Sequence, residues 1–325
     1  MENRPLVSII INNYNYERFL EDALSSVFAQ TYDDLEIVVV DDGSTDNSLE
    51  IIKNYERSAV TGKSSIKTIF KENGGQASAF NAGFAASKGE IICFLDSDDT
   101  FAPHKVAKIV EIFLAHEDIG WCFHSLILED HQTKEFLGVN AERGTRKCDF
   151  RKVMQRGKLP FFGSPTSGLC FRRSLLKQIL PMTESLRRGA DRYLVAFAPA
   201  LSPGYYLDER LANQKIHGKN GNTFQVGKKF ARRRAFKALT VAYFMKSKLP
   251  EFRRFSDRVF SRGLSLYWQA EFQPPEQKEL IDRYLSTVNL VSKIKIYFMA
   301  LYQNQAWKRP KLEIPHKQEI FKTKS

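Results

Sequence analysis

Short apolar runs alternate with amphipathic stretches along the first hundred residues. The runs at 7–11, 35–40, 65–70 and 90–95 are rich in Val, Ile and other strand-forming residues. The segments between them, 17–30, 47–55 and 76–87, carry apolar residues at helical spacing. Strands that are apolar on both faces and alternate with helices form parallel sheets covered on both sides. The pattern therefore predicts an α/β fold with a mainly parallel sheet flanked by helices.

The alternation loosens after Thr100. The pattern predicts helices at 105–116, 173–179 and 191–200, and strands at 121–128 and 168–171. From about Gly227 onward the apolar spacing is helical, and Pro274-Pro275 breaks it between two helices. We therefore predict an α/β domain over residues 1–225 and a helical C-terminal region over residues 226–325.

The net charge of +12 is concentrated in the second region. Residues 227–325 contain 22 Lys and Arg against 8 Asp and Glu, whereas the first 226 residues are close to neutral. A near-neutral body with a basic tail indicates two regions with different tasks.

The sequence favours a cytoplasmic location. Its N-terminus lacks the apolar segment and small-residue cleavage site of a secretory signal. The longest apolar stretch, 285–302, contains Lys293 and Lys295, which are costly in hydrocarbon, so no transmembrane helix is predicted. The four cysteines lie far apart without the spacing of a zinc site, and we expect buried thiols.

Polar residues follow each of the four N-terminal strands. They are Asn12-Asn13-Tyr14, Asp41-Asp42, the loop 71–76 and Asp96-Ser97-Asp98-Asp99. Because the carboxyl ends of parallel strands meet at one edge of a sheet, these loops are expected to share a crevice. Three carboxylates there would repel one another unless a hard cation such as Mg²⁺ or Mn²⁺ lay among them. A solvated acidic turn is the alternative, and the second acidic pair at an equivalent strand end favours the cation.

In combination, these segments resemble the family 2 glycosyltransferases. The resemblance is carried by Ser8-Ile9-Ile10-Ile11-Asn12-Asn13-Tyr14-Asn15, Val40-Asp41-Asp42-Gly43-Ser44-Thr45-Asp46, Asn73-Gly74-Gly75, Asn81-Ala82-Gly83, Lys88-Gly89-Glu90 and Phe94-Leu95-Asp96-Ser97-Asp98-Asp99. It covers residues 6–100 closely and extends more weakly through Ser167-Gly168, Ala190-Asp191 and 217–220. It implies the GT-A fold, a nucleotide-diphosphate sugar donor, a divalent metal and inversion at the anomeric carbon.

The resemblance also implies roles for individual residues. Tyr14 would pack by the nucleoside beside the backbone of Asn12 and Asn13, and Asp42 would hydrogen-bond the base. Asp96 would face the ribose and donor sugar. The metal would be held by Asp98 and Asp99, and His217 would complete its shell or contact phosphate. An ordinary half-buried aromatic at Tyr14 and a surface or core histidine at His217 are the alternatives.

The acceptor hydroxyl needs a general base, which in this family is a carboxylate at a Glu-Asp pair that opens a helix. The matching pair here is Ala190-Asp191, and Asp191 is the predicted base. The Ala at 190 departs from the family pattern, and Asp191 could instead be a helix cap. Three other acids are fallback candidates: Glu184, Asp208 and Glu209. Asn12, where many relatives have Pro, is a further departure.

The basic C-terminal helices could contact an anionic membrane surface, which would suit a lipid-linked acceptor. Solvated helix faces are the alternative reading, and nucleic acid is not an expected partner because no nucleic-acid module accompanies the charge. The predicted function is transfer of a sugar, with a UDP-sugar favoured as donor, to a saccharide or lipid-linked acceptor, in surface polysaccharide or glycoconjugate synthesis at the inner face of the membrane. The rivals are an inactive nucleotide-sugar-binding or scaffold protein of the same fold and a nucleotidyltransferase. A dinucleotide dehydrogenase is disfavoured because no GxGxxG follows the first strand.

Overall fold

The computed structural model of the chain describes residues 4–59, 65–140, 144–158, 164–218, 220, 227–270 and 272–308. The chain divides into two compact units. Unit 1 comprises residues 1–225 and 244–256, and unit 2 comprises residues 226–243 and 257–325. The predicted domain boundary between residues 225 and 226 lies outside the described residues, and it stays a prediction.

The first part of unit 1 alternates strands and helices as predicted. Its elements are β1 (Val7–Asn13), α1 (Glu17–Phe28), β2 (Leu35–Asp41), α2 (Ser48–Ala59), β3 (Ser65–Phe70), α3 (Gln76–Ala86) and β4 (Ile91–Asp96). Strand β1 pairs in parallel with both β2 and β4, and β2 pairs in parallel with β3. The three central strands are buried along nearly their whole length, which explains why they are apolar on both faces.

The second part of unit 1 turns the sheet from parallel to mixed. Its elements are β5 (Asp99–Phe101), α4 (Lys105–Ala115), β6 (Trp121–Asp130), β7 (Phe136–Val139), β8 (Arg146–Cys148), α5 (Arg151–Gln155), a 3₁₀ turn (Thr166–Gly168), β9 (Leu169–Arg172), α6 (Arg173–Ile179), α7 (Asp191–Leu201) and β10 (Gly204–Ile216). Within the described residues, ten strands form one sheet of order β3-β2-β1-β4-β9-β6-β10-β5, with β7 on β6 and β8 on β10. Strand β9 runs antiparallel to β4 and β6, whereas β10 runs parallel to β6.

The core of unit 1 lies between the sheet and its covering helices. Ile9, Ile37 and Leu95 from three adjacent strands pack with Leu20 and Leu24 of α1 in one buried cluster. Complete burial of such a side chain contributes about 1.5–3 kcal/mol. On the other face, α3 approaches β1 so closely that a Cβ at Gly83 would lie 2.5 Å from Ile10 Cγ2, so this helical position requires glycine.

Helices form unit 2, as the sequence predicts. They are α8 (Lys228–Lys248), α9 (Arg253–Gln269), α10 (Pro275–Ser286) and α11 (Leu290–Lys308), and α8 and α9 contribute residues to both units. Helix α10 begins at Pro275, where the sequence predicts a break. In the core of this unit, the rings of Phe260 and Tyr284 stack with centroids 3.9 Å apart, and Leu239 and Ile296 are fully buried beside them. None of the helices in the described ranges combines the length and apolarity needed to cross a membrane.

Candidate functional site

The carboxyl ends of β1, β2 and β4 bring the predicted polar residues together. The parallel register places Asn12 beside Asp96 and Asn13 beside Asp41. Asn12 Nδ2 donates to Asp96 Oδ1 at 3.0 Å, and Asn13 Nδ2 donates to Asp41 Oδ2 at 2.8 Å. The two asparagines therefore link the three strand ends through their side chains.

Asp42, directly after β2, holds the loop that follows β3. Its buried carboxylate accepts hydrogen bonds from Lys71 Nζ at 2.7 Å, from the Gly74 amide at 2.9 Å and from the Gly75 amide at 2.6 Å. Gly75 has φ +87°, and a Cβ on it would lie 2.5 Å from Arg187 Cα. The four loops predicted to converge thus do so, and Asp42 is the centre around which the 71–75 loop folds.

The three aspartates after β4 form a compact group of carboxylates. Oxygen atoms of Asp96, Asp98 and Asp99 all lie within 4.8 Å of one another. Asp99 is only 1% exposed, and its Oδ1 atom has no hydrogen-bond partner in the part of the chain that the structure describes. Burial, and then the charge of Asp98, raise the pKa of Asp96 to about 7. Burial likewise raises the pKa of Asp99 well above its usual range, with the neighbouring carboxylates adding to the shift. Both shifts reflect negative charge that is poorly compensated within the chain.

Ser167 forms hydrogen bonds with two of these three aspartates. Its hydroxyl donates to Asp99 Oδ2 at 2.6 Å and accepts from the Asp96 amide at 3.1 Å. The Ser167 carbonyl in turn accepts from the fully buried Lys105 Nζ at 2.8 Å, and burial lowers the pKa of that lysine. The sequence marks Ser167-Gly168 only as a weak part of the family resemblance. It does not predict these contacts or Lys105, because they join residues 62 to 71 positions apart in the chain.

Gln76 joins the carboxylate group to the start of α7. Its Oε1 atom accepts from the amides of Gly189 at 2.8 Å and Ala190 at 2.9 Å. Its Nε2 atom lies 3.3 Å from Asp96 Oδ1. This amide side chain therefore positions the segment that carries Asp191, and no local motif marked it in the sequence.

Asp191, the first residue of α7, lies close enough to Asp96 for its charge to raise the pKa of that residue. Its Oδ1 atom is buried and has no hydrogen-bond partner among the described residues. The cap position of α7 is Ala190 and not Asp191. The structure thus brings the predicted base and the aspartate group into one crevice. Of the fallback acids, Glu184 accepts from Asn81 at 3.4 Å, and Asp208 accepts from Ser125 at 3.0 Å.

His217 approaches the group from the end of β10. Its Nε2 atom lies 3.0 Å from Asp98 Oδ2, and its ring stacks on Phe19 with centroids 4.5 Å apart. Tyr16, which sequence reasoning did not select, contacts the His217 ring edge-on at 5.8 Å, and burial followed by the charges of Asp98 and Asp96 raises its pKa. Tyr14, the predicted nucleoside platform, is 44% exposed. The structure therefore places His217 on Asp98 and adds Tyr16 to this side of the crevice.

The sequence matches a known protein family and several of its members. The family model for glycosyl transferase family 2 matches residues 8–180. An uncharacterized glycosyltransferase of Nostoc sp. (strain PCC 7120) is 40% identical over 217 residues, which cover 66% of this chain and 66% of that protein. An uncharacterized glycosyltransferase of Rickettsia prowazekii is 39% identical over 218 residues, covering 66% of this chain and 64% of the relative. The chain thus spans just under two thirds of the length of these relatives.

Solved structures share the fold. S. aureus TarS 1-349 in complex with UDP matches with a TM-score of 0.58 and 18% identity, over 89% of this chain and 77% of that one. The mannosyltransferase PcManGT from Pyrobaculum calidifontis, in complex with GDP-Man and Mn²⁺, matches with a TM-score of 0.55 and 17% identity, over 94% of this chain and 84% of that one. The expected GT-A fold, an α/β sheet flanked by helices with further helices at the C-terminus, is confirmed.

Proposed function

The chain belongs to glycosyl transferase family 2, and on this premise we propose that it is an inverting transferase that moves one sugar from a nucleoside-diphosphate donor to an acceptor hydroxyl group. The observation that carries the proposal is the group of three carboxylates at the sheet edge, with an oxygen of Asp191 beside it that has no partner among the described residues. A crevice that concentrates negative charge at the ends of parallel strands suits a cation with a diphosphate.

The residues fit a hard divalent ion, Mn²⁺ or Mg²⁺. Carboxylate oxygens are the ligands that such ions prefer, and the buried Oδ1 atom of Asp99 has no partner among the described residues. We assign Asp98 and Asp99 as the ligands, with His217 adjacent to Asp98 as a third ligand or as its positioning partner. The ion would supply Lewis-acid neutralisation of the charge on the leaving diphosphate.

The nucleotide part of the donor is proposed to lie over the ends of β1, β2 and β4. Tyr14 offers an exposed ring for stacking, and the backbone of Asn12 and Asn13 borders the same edge. Asp42 is proposed to accept from an N–H of the base in addition to its bonds from Lys71, Gly74 and Gly75. Asp96 would face the ribose and sugar, and a UDP-sugar is the favoured donor. UDP and UDP-GlcNAc are bound in structures of TarS, while PcManGT binds GDP-Man, so both nucleotides belong in the test.

Asp191 is proposed to activate the acceptor. Its carboxylate takes the proton of the acceptor hydroxyl while the hydroxyl oxygen bonds to the anomeric carbon. The bond from that carbon to the diphosphate breaks on the opposite side, so the configuration inverts. Gln76 holds the backbone immediately before Asp191 and orients the base toward the donor.

The acceptor is proposed to be a saccharide or a lipid-linked saccharide, and the pathway to be surface polysaccharide or glycoconjugate synthesis on the cytoplasmic side of a membrane. The second candidate, an inactive nucleotide-sugar-binding protein of the same fold, predicts the same donor binding without turnover.

The test is a calorimetric titration of the full chain with UDP-, GDP- and dTDP-sugars, with and without Mn²⁺, followed by a search for sugar transfer or donor hydrolysis. Donor binding that needs Mn²⁺ and is lost in Asp98→Ala plus Asp99→Ala is the expected result. The matched control is Asp33→Ala plus Asp34→Ala, a neighbouring acidic pair that is 58% and 45% exposed and lies at the amino end of β2.

Each outcome separates the candidates. Binding with turnover supports the transferase, and binding without turnover on any tested acceptor or water supports the inactive protein. Absence of binding to every nucleotide, with the protein folded by circular dichroism, would overturn both.

A further inference from the structure

Helix α11 is apolar on two opposite sides. One side is buried in the core of unit 2 through Ile296 and Ala300. The other side carries seven large apolar residues that are each between 41% and 72% exposed: Leu290, Val291, Ile294, Tyr297, Phe298, Leu301 and Tyr302. Lys293 and Lys295 separate the two sides, so α11 carries a second apolar face besides the one that packs in its own unit. This exposed face is a candidate interaction surface.

The seven residues form one continuous surface, which we call the α11 stripe. Their spacing repeats at three and four positions, so they lie on one face of the helix, centred on Phe298. The stripe runs over about 18 Å of helix at 1.5 Å per residue. Scattered exposed apolar residues are common on proteins, whereas a contiguous apolar surface marks an interaction site.

Charge distinguishes between the possible partners. Residues 288–312 contain no Asp or Glu, and Lys295 borders the stripe with an exposed side chain. Residues 227–325 carry 22 basic against 8 acidic residues. Two copies of the chain that met through the stripe would each bring Lys295 to the contact and no acidic residue of α11, whereas an anionic surface would attract this charge. Tyr297 and Tyr302 are the residue type that settles at the boundary between lipid headgroups and acyl chains.

We propose that the α11 stripe docks on an anionic lipid bilayer, with α11 lying in the plane of the interface and Ile294 and Phe298 inserted below the headgroups. The sequence predicts membrane contact through the basic C-terminal helices, whereas the proposed contact is the apolar α11 stripe. Within α8, Arg232, Arg233 and Arg234 are half-buried and Lys237 is buried. The inference adds a partner to the proposed function and does not depend on it, because membrane binding is measured without any nucleotide.

The first experiment is co-sedimentation of the full chain with vesicles of phosphatidylglycerol and phosphatidylcholine, and with vesicles of phosphatidylcholine alone. Binding to the anionic vesicles is expected to weaken roughly tenfold or more in Ile294→Gln plus Phe298→Gln, because two side chains no longer leave water. Lys295→Gln is expected to weaken it about fivefold on anionic vesicles only. The matched control is Phe136→Gln, which removes an equally exposed apolar side chain, 60% exposed, from β7 in unit 1.

A second readout reports insertion directly. The four native cysteines are buried, so a polarity-sensitive dye can be attached selectively to Phe298→Cys or to the control Phe136→Cys. A blue shift of the dye on anionic vesicles at position 298, and none at 136, is the expected result.

Three results would overturn the proposal. In the first, the chain fails to bind anionic vesicles. In the second, the α11 double variant binds them as well as the unaltered chain. In the third, the chain is a dimer in light scattering that the double variant converts to a monomer while neither protein binds vesicles, which would make the stripe an interface between copies.

Discussion

The edge of the parallel sheet and the α11 stripe depart from ordinary packing in opposite ways. At the sheet edge charged atoms are buried, and Asp99 is 1% exposed with one oxygen unpartnered among the described residues. On α11 apolar side chains are exposed, and Phe298 is 72% exposed. Each arrangement raises the free energy of the isolated chain, the first through uncompensated charge and the second through hydrated apolar surface. The contrast supports the two proposals made above: a cation at the sheet edge and a lipid surface at the α11 stripe.

Removing the proposed base should have the largest effect on sugar transfer, and it tests the role proposed for the sheet edge. Asp191→Asn is expected to lower kcat roughly 10²- to 10⁴-fold, because the hydroxyl proton loses its acceptor. Donor binding should be unchanged, since Asp191 is assigned to the acceptor. The measurement is steady-state transfer alongside calorimetry, with the exposed Asp33→Asn at the amino end of β2 as the matched control. Full activity in Asp191→Asn would exclude it as the base and turn attention to Glu184, Asp208 and Glu209.

Two isoleucines on opposite sides of α11 test whether the α11 stripe is exposed in the folded protein. Ile296→Ala should reduce the free energy of unfolding by about 2–5 kcal/mol, because Ile296 is fully buried. Ile294→Ala, at a position that is 60% exposed, should change it by no more than about 0.5 kcal/mol. Urea unfolding of the full chain, followed by fluorescence, measures both. Equal losses would mean that the stripe is covered in the folded protein, and the contrast between the two regions would fail.

Loss of the Ser167 hydroxyl tests whether Ser167 positions the Asp99 carboxylate at the sheet edge. Ser167→Ala is expected to weaken Mn²⁺ binding about 10- to 100-fold, because Asp99 loses the hydrogen bond that orients its carboxylate. Ser256→Ala, another fully buried serine of unit 1, is the control for a general packing loss. Calorimetric Mn²⁺ titration of both variants distinguishes them, and equal affinities would contradict a positioning role for Ser167.

The pH dependence of metal binding is the smallest expected effect. The pKa of Asp96 rises from 3.8 to about 7 in the folded chain. The metal-free folded state therefore holds an additional proton, and it loses stability as pH rises from about 4 to about 7. Because the proton on Asp96 lowers the negative charge beside the proposed ligands Asp98 and Asp99, Mn²⁺ affinity should fall about fivefold as pH is lowered through about 7. Titrations on either side of neutrality measure this, and an affinity independent of pH would contradict it.

The sequence predicted the parallel half of the fold, five later elements of unit 1 and the helices of unit 2, but it missed part of the mixed half of the sheet for a physical reason. Strands β1, β2 and β4 are buried on both faces, so their composition alone identifies them. Strand β10, the longest in the sheet, was not predicted. Its residues Gly204–Ile216 mix buried and exposed positions and shift register twice against β6, which removes the regular alternation that marks a strand.

The candidate site likewise contains residues that the sequence predicted and residues that only the folded chain reveals. Asp96, Asp98 and Asp99 are adjacent in the chain, and the structure places their carboxylates together. The supporting residues Gln76 and Lys105 are single polar residues in helices, and their partners lie 113 and 62 positions away. A contact of that kind has no local signature, so it becomes visible only when the chain is folded.

The Gln76 amide has a consequence for recombining this chain with its relatives. One end of the side chain contacts Asp96, which is proposed to face the donor, and the other end holds the backbone that precedes Asp191. In a chimera, the segment that contains Asp191 could come from another protein. The hydrogen bonds from the amides of residues 189–190 to Gln76 would then be lost unless that segment kept the same backbone path. Chimeras built to change acceptor preference should therefore inherit α3 and the start of α7 from the same parent.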